Sequence, residues 1–160
     1  MKVLDYAMQM EADGKAYYEK LAAESDDKEL KNLFNLLAQA EQTHYDALQA
    51  RKNETPFAGS ESQTLNRARN IFQRLMEMKS EGPYKVDADG YRHAIKAEEQ
   101  SIRFYQESAE KEQSPEVRKL LRMLADEERI HLNIVENIYE FVESPKFFLA
   151  WREFSNLKEL

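Results

Sequence analysis

No cysteine occurs anywhere in the 160 residues. That absence excludes disulfides, iron–sulfur clusters, thiol nucleophiles and cysteine zinc sites, so any redox or metal chemistry must rely on oxygen and nitrogen ligands. Glycine and proline are sparse, at four each, which leaves the chain free to form long uninterrupted helices. No run approaches the roughly 18 consecutive apolar residues that span a bilayer. The start, Met1-Lys2-Val3-Leu4-Asp5, turns polar at once instead of continuing into a secretory leader. A cytoplasmic chain with no membrane partner is the expectation. Blocks of one charge are missing too: the net charge of −7 is spread over interspersed acidic and basic residues, which argues against nucleic acid as a partner.

What is present reads as a single all-α domain over residues 1–160, long enough for one core and too short for two. From about residue 2 to 25, Leu4, Ala7, Met8, Glu11, Tyr18, Leu21 and Ala22 recur at helical spacing. Ser25-Asp26-Asp27 offers an N-cap for a second helix whose stripe is Leu30, Leu33, Phe34, Leu37, Glu41, His44 and Leu48, completing a helix pair over 2–51. A second pair covers 87–143. Its first helix carries Tyr91, Ala94, Ile95, Glu98, Ile102, Tyr105 and Ala109, and Ser114-Pro115 opens the next with Val117, Leu120, Leu121, Leu124, Glu128, His131, Val135 and Ile138. Pro145 closes it.

Residues 52–86, holding Pro56, Gly59, Gly82 and Pro83, form the long connection. A helix of ~25 residues is roughly 38 Å long, so a connection that returns the chain to the same end needs about this many residues. Within it Leu65 to Met78 has helical character, with Ile71, Phe72, Leu75 and Met76 available for packing. The tail, 144–160, carries Phe147, Phe148, Leu149, Trp151, Phe154 and Leu157, fit either to lie on the bundle or to join a second copy in a homodimer.

The two pairs repeat each other at an offset of 87 positions: Glu11 with Glu98, Glu41 with Glu128, His44 with His131. Ala7 and Ala94, Tyr18 and Tyr105, Ala22 and Ala109, Leu33 and Leu120, and Leu37 and Leu124 share that offset. Each pair thus supplies a lone Glu on one helix and a Glu-x-x-His on the next. Buried carboxylates and imidazoles cost several kcal/mol unless paired or coordinated, and no lysine or arginine stripe accompanies them. Glu and His at i and i+3 share a helix face, so two such pairs facing two single Glu can supply two divalent ions with carboxylates and one imidazole each. A buried polar network without metal is the bland alternative, but it gives the duplicated types and spacing no purpose.

At these residues the chain resembles the ferritin-like superfamily, and within it the rubrerythrin-like branch. The resemblance covers residues 1–143 and includes the Glu-x6-Tyr spacing of Glu11/Tyr18 and Glu98/Tyr105 and the leucine-rich approach to both Glu-x-x-His motifs. It implies a ferritin-like four-helix bundle with a di-iron centre that reacts with hydrogen peroxide or dioxygen. In that reading Glu41 and Glu128 bridge, Glu11 and Glu98 are terminal, and His44 and His131 each hold one metal. Two departures stand out. The paired Cys-x-x-Cys knuckles of a rubredoxin module are missing, so electrons would come from an external donor protein, and the extra Glu one turn after the third-helix ligand is here Ser101.

The leading expectation is therefore reduction of hydrogen peroxide, or dioxygen, at two iron ions, with manganese or a mixed iron–manganese pair suited to the same ligands. Ferroxidase action in iron handling, a di-metal structural or sensing protein without turnover, and an oxygenase with an organic substrate are the alternatives. Tyr18 and Tyr105 are candidates to hydrogen-bond terminal carboxylates, or ordinary buried tyrosines. Gly14, one turn after Glu11, suggests close helix approach or room beside the metals. Glu99 and Glu127 are expected at the surface, with contact to a ligand histidine the alternative, and His93 is expected to face solvent.

Overall fold

A computed structural model describes residues 2–57, 63–78, 84 and 87–145, and among them there is no strand. Five helices follow in order: α1 Lys2–Glu24, α2 Lys28–Lys52, α3 Thr64–Glu77, α4 Ala88–Lys111 and α5 Pro115–Glu143. The expected helices are all present, α3 included. The tail residues Phe147, Phe148, Leu149, Trp151, Phe154 and Leu157, and Gly59, Gly82 and Pro83 of the connection, lie outside the described residues. Among the described residues no helix is long and apolar enough to cross a membrane.

Local chemistry sets the helix starts. The Asp27 carboxylate accepts from the backbone N–H of Glu29 and Leu30 at 2.9 and 3.0 Å, satisfying two donors that α2 cannot satisfy internally. Asp87 accepts from Gly90 N at 2.9 Å. A Cβ on Gly90 would stand 2.5 Å from the Asp87 carboxylate, so this cap needs glycine in the first turn of α4. Ser114 accepts from Val117 N at 3.4 Å, and Pro115 takes the first helical position, where its missing N–H costs nothing.

Two hairpins, α1 with α2 and α4 with α5, make the main packing, and α3 lies against α2 and reaches α5. Side-chain pairs fix the directions. Arg51 near the end of α2 pairs with Glu116 at the start of α5, and Lys52 pairs with Asp5 at the start of α1. At the other end, Tyr17 near the end of α1 donates to the Gly90 carbonyl at the start of α4, at 2.7 Å. Thus α1 is antiparallel to both α2 and α4, and the connection carrying α3 traverses the bundle's length.

The apolar core comes in two parts. One is built on Leu21, Leu33, Phe34, Leu37, Ile134 and Phe141, with Phe72 and Leu75 of α3 sealing its side. The other holds Leu4, Leu48, Tyr105, Leu121 and Leu124. Burying each of these side chains is worth about 1.5–3 kcal/mol. Between the two parts lies a polar layer.

Candidate metal centre

One residue of α1, two of α2, one of α4 and two of α5 form this layer: Glu11, Glu41 and His44, Glu98, and Glu128 and His131, all buried. One nitrogen or oxygen atom from each of Glu41, His44, Glu128 and His131 lies within 4.8 Å of the others. His131 Nδ1 is 2.9 Å from Glu41 Oε1 and 3.3 Å from Glu128 Oε2. His44 Nδ1 is 3.2 Å from Glu128 Oε1 and 3.4 Å from Glu11 Oε2. The imidazoles stack, with centroids 5.1 Å apart and planes 10° from parallel. Glu98 closes the set from α4, 3.9 Å from His131 Nδ1.

The two tyrosines belong to the same layer. Tyr105 Oη donates to Glu11 Oε1 at 2.6 Å and Tyr18 Oη to Glu98 Oε1 at 2.5 Å. Each phenol therefore serves the carboxylate of the opposite repeat. Burial, reinforced by the carboxylates around them, holds both phenols well above their usual range, so they stay protonated donors.

Electrostatics shows what the layer lacks. Burial, with Glu11 and Glu128 nearby, raises Glu41 well above the carboxylate range. Burial and Glu128 do the same to Glu98, and burial and Glu11 raise Glu128. At Glu11 the burial penalty is outweighed by a hydrogen bond with Glu41 and the His44 charge, and the group is held down to about 2. Burial lowers His131, whereas at His44 the same penalty is overcome by Glu11, which raises it. Among the described residues no lysine or arginine pairs with these carboxylates. Glu11 Oε2, Glu98 Oε2 and His131 Nε2 are buried without a hydrogen-bond partner. Four carboxylates, two of them with an unsatisfied oxygen, match the charge and donor preference of two divalent cations, which would displace the retained protons.

Gly14 explains itself here. A Cβ at that position would lie 3.1 Å from Glu41 Oε2 and 3.4 Å from its Cδ, so the missing side chain makes room for the Glu41 carboxylate. Glu99 is exposed, and so is His93, whose ring packs on Tyr17 with centroids 4.6 Å apart. Glu127 is half-buried, with Oε2 enclosed, and its charge acts on His131. Sequence reasoning missed a cleft of about 630 Å³ between α1 and α4 that reaches Glu41 and Glu98. Its sequence signal is the small residues Gly14, Ala97 and Ser101 on facing helices.

Antiparallel helix pairs, a long crossover and a buried carboxylate–histidine cluster that fits a di-metal site define a ferritin-like bundle. A family model described as Rubrerythrin matches residues 2–139, and the chain belongs to that family. A solved structure of a hypothetical protein from Pyrococcus furiosus has a similar fold, with a TM-score of 0.62 and 24% identity over 93% of this chain and 89% of that one. No curated protein matches the chain.

Proposed function

We propose that this chain is a non-haem di-iron oxidoreductase of the rubrerythrin type that reduces hydrogen peroxide to water with electrons from a separate donor protein. The observation that carries the reading is the polar layer itself: four buried Glu and two His, with atoms left unpartnered, between two apolar halves of the core. Glu41, His44, Glu128 and His131 would hold the metals at the centre, with Glu11 and Glu98 at the flanks. Two ferrous ions there would supply the two electrons that, with two protons, convert one peroxide into two waters.

The chain's own residues prepare that chemistry. Tyr18 and Tyr105 fix the orientation of Glu98 and Glu11 through short hydrogen bonds. The apolar halves keep bulk water from both sides of the layer, so charge changes inside it are weakly screened. The 160 residues hold no cysteine, so the reducing electrons reach the layer from a donor outside them.

Ser101 favours a second reading. With no carboxylate at that position the ligand set stays symmetric, which suits reaction with dioxygen, as in ferroxidase-type iron handling. Anaerobic loading with ferrous iron, then stopped-flow mixing with hydrogen peroxide or dioxygen, separates the readings. Faster oxidation by peroxide is the expected result. Faster oxidation by dioxygen moves the function to an oxidase or ferroxidase, and metal uptake without either reaction makes the chain a structural or sensing protein.

A further inference from the structure

The cleft between α1 and α4 follows the internal repeat. Tyr6 packs against Phe104 with centroids 4.8 Å apart, and Tyr17 against His93 at 4.6 Å, both pairs tilted. Under the 87-residue offset these pairs are equivalent, Tyr6 with His93 and Phe104 with Tyr17. Aromatic contacts thus join the two helices at two repeat-related places, and between them stand small residues that leave the interhelical space unfilled. The cleft, about 630 Å³, reaches Glu41 and Glu98.

The repeat breaks at the floor. Gly14 corresponds to Ser101, and both line the cleft; Glu41, beside Gly14, lines it too, whereas Glu128, the equivalent of Glu41, does not. A single carbon added at position 14 would come within 3.1 Å of Glu41 Oε2, so any side chain there would crowd the inner end of the cleft. A second opening, between α1 and α2, reaches Glu11 and Glu41 past Lys15, Ala16 and Glu19, but holds about 290 Å³.

We propose that the α1–α4 cleft is the access route for small molecules to the candidate metal centre, and that Gly14, whose missing side chain keeps the inner end of the cleft open beside Glu41, is the residue that controls passage there. The proposal rests on the di-metal reading above and deepens it by naming the side from which a molecule approaches and the residue that controls the approach. Ser101 is the wrong residue to replace Gly14: its hydroxymethyl group, placed at position 14, would occupy the gap beside Glu41.

The test uses azide as a probe of the iron-loaded, oxidised protein, followed by its charge-transfer absorption, with fluoride as a one-atom control. Gly14→Ala and Gly14→Ser should still take up two metals. Their azide association, followed by stopped-flow, should slow by about tenfold or more, the scale on which one extra carbon is discriminated sterically, while fluoride association and the absorption of the anion-free centre stay as in the parent. Ala16→Leu, which fills the α1–α2 opening, should change neither. The route is overturned if Ala16→Leu slows azide and the Gly14 variants do not, if no variant changes the azide association rate, or if azide and fluoride slow together. It is also overturned if the metal-loaded parent binds no azide. Failure of the parent to take up two metals would instead overturn the underlying di-metal reading.

Discussion

Tyr18 and Tyr105 each stand seven residues after a Glu of the same helix, a separation of ~10.5 Å along the axis at 1.5 Å per residue. Neither phenol reaches that neighbour. Because α1 and α4 run antiparallel, Tyr18 instead meets Glu98 and Tyr105 meets Glu11. The repeat in the sequence marks which residues are equivalent, and equivalence is not contact, so this exchange was illegible before folding. Replacing Tyr105 by Phe removes the donor to Glu11 Oε1 and leaves a buried carboxylate oxygen unsatisfied, at a cost of about 1–3 kcal/mol. The same change at Tyr18 acts on Glu98. Both variants should lose roughly 10–100-fold in metal affinity, as when other outer partners of metal-ligating groups are removed. Competition against a chelator of known affinity measures this, and unchanged affinity in both variants would show that the hydrogen bonds do not orient ligands.

At the scale of the element, helix boundaries were the most readable feature, because capping is local. Asp27, Asp87 and Ser114 each stand before a periodic apolar stripe and each accepts from a first-turn N–H. Asp27→Ala should cost about 1 kcal/mol of global stability, seen as a lower urea midpoint with an unchanged slope in the metal-free protein; no shift would mean that water caps α2 equally well. Helix α3 was also legible, since Ile71, Phe72, Leu75 and Met76 keep one face, and all four are buried. What it covers was not. That it seals the half of the core containing Phe34 and Phe141 depends on the crossover's path, which nothing local specifies.

The whole molecule stores buried carboxylates at the middle of its core, and the consequence is a stability that depends on pH and metal together. In the metal-free chain Glu41, Glu98, Glu128 and His44 all hold protons more tightly than their usual values of 4.5 and 6.5. A raised value favours folding below the unfolded value, and that contribution is lost as pH rises through the folded one. Glu11 and His131 are lowered and act in the opposite sense, but their gains are complete above about 4.5 and 6.5 respectively. Above about pH 6.5, therefore, the metal-free protein should lose stability with rising pH. Two divalent cations in place of the protons should remove most of this dependence and raise Tm. Thermal unfolding at pH 6.5 and 8.5, with and without a chelator, tests it; a chelated protein whose Tm holds or rises toward pH 8.5 would contradict the assignment of retained protons.

The sequence by itself determined the helices, their caps, their apolar faces and the six residues of the polar layer, because each of these follows from spacing along one helix or from the 87-residue repeat. Only the tertiary structure decided which carboxylate each tyrosine serves, that Gly14 makes room for Glu41, and that α1 and α4 part to leave a cleft above it. These are relations between helices. They depend on direction, on facing side chains and on the distance at which two backbones settle, and periodicity within one segment carries none of that information.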